Sequence, residues 1–75
     1  MIGLTYGERD TQNMLNAFCE LDDLERSAEV ISELSKYPVE VVEKFLKAVN
    51  AIDEKLINAE NMMGIIAYIT IRINL

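Results

Sequence analysis

The sequence predicts a mostly helical α+β domain: a three-helix core closed by a short C-terminal β-strand or hairpin. Three observations predict it. Residues 28–49, AEVISELSKYPVEVVEKFLKAV, carry helical apolar spacing on both sides of a break that ends in a proline. Upstream, Met14, Leu15, Phe18 and Leu21 fall on one helical face. Downstream, Ile65, Ala67, Ile69, Ile71, Ile73 and Leu75 alternate with Ile66, Tyr68, Thr70, Arg72 and Asn74, which is the period of a strand.

The elements follow in order. Ile2, Leu4 and Tyr6 alternate with Gly3 and Thr5, as in a short strand, an extended arm or a loose terminus. A first helix begins near Glu8 to Thr11, with Asp10 placed to cap it. Cys19 stands beside its apolar face and reads as a small buried hydrophobe. Asp22 and Asp23 end the run, and Asp22 with Glu25 resembles a capping box for the second helix. Leu24, Ala28, Ile31 and Leu34 then face inward, while Glu25, Glu29 and Glu33 repeat every four residues on a side facing water.

Tyr37 precedes a proline and is therefore extended. Pro38 suits the first turn of the third helix, where its missing N–H costs nothing. Val39, Val42, Phe45, Leu46 and Val49 form the inward face, and Glu40, Glu43, Lys44 and Lys47 look outward. This helix runs to about Asn50 or Asp53. Residues 55–57 read as a short strand or a last helical turn, and 58–61 carry turn chemistry. For 65–75, a helix from Glu60 would also align Met62, Ile66, Ile69 and Ile73. The density of isoleucine and threonine favours the strand.

At 75 residues the chain is a single domain, residues 1–75, with no linker to divide it. A chain of this size buries only about 60% of its unfolded surface, so a partner or self-association could add burial. The single cysteine excludes an intrachain disulfide and suits a reduced setting. With no histidine, histidine base chemistry and histidine metal ligation are excluded. No segment reaches the roughly 18 apolar residues of a membrane span. The expectation is a soluble, cytoplasmic, non-enzymatic protein with no cofactor or metal. Carboxylates grouped at Asp22, Asp23 and Glu25, or at Asp53 and Glu54, lie at helix ends, where capping accounts for them.

The net charge of −6 is unevenly spread. Residues 20–43 hold eight acidic side chains against two basic ones, whereas residues 44–75 have a balance of +1. The acidic front half repels phosphate and attracts basic surfaces.

The stretch SAEVISELSKYPVEVVEKFLKAV resembles the helix-turn-helix of winged-helix proteins. Ser32 stands where that pattern prefers alanine, Lys36 where glycine is usual, and Val42 with Phe45 or Leu46 at buried positions of its second helix. The likeness covers roughly residues 22–73. It implies a first wing strand at 56–58, a wing loop at 59–64 and a second wing strand at 65–73.

The resemblance implies DNA binding through the third helix, which needs basic side chains for phosphates. Lys44 and Lys47 are offset by Glu40 and Glu43, so nucleic acid is not expected to bind unaided. A dimer gathering Lys44, Lys47, Lys55 and Arg72 is the route by which a winged-helix transcriptional regulator could work. The preferred expectation is a regulatory or adaptor protein on a helix-turn-helix-like scaffold. Its partner is a protein with a basic surface, met by Glu25, Glu29, Glu33, Glu40 and Glu43. A strand of Ile65, Ala67, Ile69, Ile71 and Ile73 would support a homodimer through its open edge. A further alternative is an acidic inhibitor that imitates DNA, a device typical of small phage- or plasmid-encoded proteins.

Overall fold

Among the described residues the fold is four helices: α1 (Glu8–Glu20), α2 (Ala28–Ser35), α3 (Val39–Asn50) and α4 (Met62–Ile73). They are seen in a computed structural model that describes residues 6–75. Single 3₁₀ turns at Asp23–Glu25 and Glu54–Leu56 lie in the first and last connections. The arm or strand expected at Ile2 and Leu4 lies outside the described residues.

α1 begins at Gly7, whose N–H donates to Asp10 Oδ2 at 2.8 Å. Asp10 thus serves the helix start from its first turn, not from the cap position itself. At the other end, α1 has no basic residue in its last turn. Arg26 supplies the missing positive charge from the following loop. Its Nε–H is shared between the carbonyls of Phe18 (2.8 Å) and Leu21 (3.0 Å), and its guanidinium lies 4.1 Å from the Phe18 ring centroid.

That anchoring keeps residues 22–26 out of the second helix. The capping box expected at Asp22 and Glu25 is instead a 3₁₀ turn, and α2 is capped five residues later by Ser27, whose Oγ accepts from the Val30 N–H. α2 ends at Lys36, which adopts φ 69° and ψ 24°, the left-handed conformation that glycine usually supplies. Its N–H donates to the Ser32 carbonyl at 2.8 Å. The Ser32 hydroxyl donates to the Tyr37 carbonyl, so the polar side chain at this position ties the turn together. Pro38 caps α3 with φ −59°, and its carbonyl accepts from the Val41 and Val42 N–H groups.

The expectation of an α+β fold with a C-terminal strand is overturned. Residues 62–73 are helical, the described residues contain no strand, and the wing elements placed at 56–58, 59–64 and 65–73 do not exist. Backbone pairing explains the outcome. A strand here would find no second strand to bond, whereas a helix satisfies its N–H and C=O groups internally. The isoleucines supply the rest. Ile65, Ile69 and Ile73 stand four residues apart, form one stripe and are buried against the other helices. β-propensity yields to that packing.

α1 and α3 touch each other, and both α2 and α4 pack against each of them, so α2 and α4 flank the central pair. Met14, Leu15, Ile31, Val42, Phe45, Ile69 and Ile73 are sealed between the four helices. The Phe18 and Phe45 rings meet edge to face at 6.0 Å between centroids. One polar contact is built into the α1–α4 interface. Thr70 Oγ1 donates to the Ile66 carbonyl and lies 2.6 Å from Oγ1 of the fully buried Thr11. Asn74 closes the α4 end by exchanging two 2.8 Å hydrogen bonds with the backbone of Tyr6.

Candidate protein-interaction surface

α2 is short, and Ile31 is its fully buried side chain. Helical geometry therefore turns two rows outward: Glu29 with Glu33, and Val30 with Leu34. All four are exposed, Leu34 by 47%. In the 3₁₀ turn that precedes it in sequence, Glu25 and Leu24 are exposed as well, Leu24 by 99%. Leu24 and Leu34 were expected to face inward. Leu24 faces outward because the helix starts at Ala28 instead of Asp22, which breaks the periodicity that linked it to the core face, whereas Leu34 lies on the edge of the buried stripe near the end of α2 and stays half exposed. Val39, at the start of α3, adds another exposed aliphatic group.

The result is a surface of carboxylates and aliphatic side chains together. The sequence identified the carboxylates Glu25, Glu29 and Glu33 and missed the aliphatic half. Leu24 lies between Asp23 and Glu25, and a leucine held among acids in a loop is the signal that could have found it. Among the described residues the salt bridge is Arg26–Asp23 at 2.7 Å, so these three glutamates have no ion-pair partner there.

The outer face of α3 is different in character. Glu40, Glu43, Lys44 and Lys47 are all exposed and interleaved, giving no net charge. Such a face cannot neutralise a run of phosphates. Lys55 lies in the 3₁₀ turn after α3 and Arg72 near the end of α4, both exposed. The acids Asp53 and Glu54 immediately precede Lys55.

The proposed dimer strand is also redistributed. Ile65, Ile69 and Ile73 go into the core, while Ile71 is 62% exposed and Ala67 half-buried on the other side of α4. Cys19, expected to be buried, is exposed. It borders an open groove of about 610 Å³ also lined by Phe18, Arg26, Leu46, Val49 and Ile57. Among the described residues no histidine, cysteine, aspartate or glutamate cluster is placed to hold a metal ion, and no helix is long and apolar enough to cross a membrane.

Compared with known proteins, the chain matches no family model, no curated protein and no solved structure.

Proposed function

We propose that this chain is a small, non-enzymatic adaptor or regulatory domain of the cytoplasm, binding a basic protein partner through the outer face of α2. The observation that carries the reading is the exposure of Leu24 and Leu34 beside Glu25, Glu29 and Glu33. Exposed aliphatic side chains set among acids are a composition that contact surfaces use. Interfaces combine apolar contact with polar groups that set orientation, and acids steer a basic partner toward them. The turn at Lys36 and Pro38 supports a helix-turn-helix scaffold without wings, used here for protein contact. The neutral outer face of α3 argues against reading DNA with that helix.

Capture from cell extract tests the proposal. The immobilised chain should retain a protein with a basic surface, and the Glu25→Lys, Glu29→Lys, Glu33→Lys triple variant should lose it. Sequence-selective retention of duplex DNA at physiological salt would refute the proposal. So would retention of the same protein by the triple variant.

A further inference from the structure

A soluble helix normally alternates an apolar stripe with a polar one. α4 does not. Its inward side holds Ile65, Ile69 and Ile73, yet its outward side carries Met63, Gly64, Ala67, Tyr68 and Ile71, continued by Leu75. Met63 is 86% exposed and Leu75 74%. Arg72 is the one charged side chain within α4. A groove of about 470 Å³ runs beside this face, lined by Ile52, Leu56, Asn61, Gly64, Ile65 and Tyr68. A Cβ added at Gly64 would meet nothing within 4 Å, so the space over it is open.

We infer that this face is the contact surface of a symmetric dimer, in which α4 of a second copy lies antiparallel with the two-fold axis near Ala67. Three features fit a second copy of this chain. First, the face is self-complementary in size. Turned about Ala67, it sets Met63 of each copy against Ile71 of the other and brings the small residues Gly64 and Ala67 to the crossing, where the backbones can approach closely. A two-fold contact requires this kind of self-matching patch.

Second, the face is self-complementary in charge. Glu60 lies just before α4 and Arg72 near its end, both exposed. Antiparallel pairing brings each Arg72 to within a turn of the other copy's Glu60, whereas parallel pairing would set like charges together. Third, the acids of α2 lie away from the contact, and Asp53, which lines the groove beside α4, is the acid that borders it. Glu29 and Glu33 are on α2, which flanks the α1–α3 pair as α4 does, without joining the principal contacts of α4.

Area sets the strength. A 12-residue helix is about 18 Å long, so one helix pair buries on the order of 400–500 Å² per copy, short of the roughly 800 Å² of a standard interface. The dimer is therefore weak and concentration-dependent.

Sedimentation equilibrium from about 1 μM to about 1 mM tests this. The wild type is expected to move from 8.5 kDa toward twice that mass as concentration rises. Ile71→Glu, at an exposed position, should hold the chain monomeric with its helical circular dichroism unchanged. Arg72→Glu and Glu60→Arg should each weaken the dimer several-fold, and the double reversal should restore it. In a Cys19→Ser background, Ala67→Cys should form an intermolecular disulfide readily, because residues on the axis face each other. A chain that stays monomeric throughout overturns the inference and leaves the face to another occupant. Dimerisation that ignores Ile71→Glu overturns it too, as does a double reversal that fails to recover.

Discussion

The phenol of Tyr37 donates to Asp10 Oδ1 at 2.7 Å, joining the turn before α3 to the first turn of α1 across 27 positions of sequence. Asn13 Nδ2 donates to the same phenol oxygen at 3.1 Å, and the Tyr6 ring packs edge-on at 6.2 Å between centroids. The hydrogen bond from Tyr37, followed by that from the Gly7 N–H, holds the Asp10 carboxyl below the usual carboxylate range. Burial first, and then the Asp10 hydrogen bond, pushes the Tyr37 phenol upward. Both shifts link stability to pH. Asp10 contributes stability above its unfolded pKa of about 3.9, and that is lost as pH falls through the depressed folded value. Tyr37 contributes below its unfolded value of about 10, and that is lost as pH rises through the elevated folded one. Urea denaturation across pH should show both losses. Tyr37→Phe should abolish the alkaline one, reduce the acid one, and cost about 1 kcal/mol at neutral pH for its partly exposed hydrogen bonds. An unchanged pH profile in the variant would remove this link from the account.

Lys36 holds a left-handed backbone that a side chain makes unfavourable. Lys36→Gly should therefore stabilise the fold by about 0.5–1 kcal/mol, and Lys36→Val should destabilise it. Thermal melting of the two variants checks the direction. A loss of stability with glycine would mean that the turn is not built this way.

Arg26 closes α1 through backbone carbonyls and the Phe18 face, and these contacts matter more than its ion pair. Arg26→Ala should cost about 1–3 kcal/mol. Asp23→Ala should cost less than about 0.5 kcal/mol, because that carboxylate is 85% exposed. Arg26→Lys should not recover the loss, since an ammonium cannot both stack flat on Phe18 and reach the carbonyls. Equal effects at positions 23 and 26 would contradict the division.

Between α1 and α4, Thr70 already donates to the Ile66 carbonyl, so the hydrogen between the two hydroxyls comes from Thr11. Thr70→Val strands the buried Thr11 hydroxyl and should cost about 1–3 kcal/mol, whereas Thr11→Val should cost about 1 kcal/mol or less. The double variant should be less damaging than the sum of the singles. Additive costs would show that the two hydroxyls do not depend on each other.

Much of the fold was legible because the hydrophobic spacing was unambiguous. Met14 and Leu15, and Val42, Phe45 and Val49, repeat with a helical period alone, and Pro38 marked the start of α3. α4 was misread because Ile65, Ile69 and Ile73 stand four residues apart, a spacing common to both the helical and the strand pattern. What decides between them is whether another strand exists to pair with, and a local window does not carry that information. At Leu24 the error was one of boundary. The pattern was extended backward through Asp22, but the tie from Arg26 to the end of α1 is a tertiary contact invisible in the residue order. The acidic half of the candidate surface could be read from charge spacing. Of its aliphatic half, Leu24 depended on that boundary.

The central claim is that acids and aliphatic groups on α2 act together on one protein partner. The most direct measurement is the dissociation constant of the captured partner as a function of salt, for the wild type and for a Leu24→Ser, Leu34→Ser variant. The account predicts that the wild-type affinity falls with salt yet keeps a salt-resistant component. It also predicts that the double serine variant loses about 2–3 kcal/mol at every salt concentration while retaining the same salt slope. Serine substitutions that leave the affinity unchanged would contradict it, leaving a purely electrostatic surface in which Leu24 and Leu34 have no part.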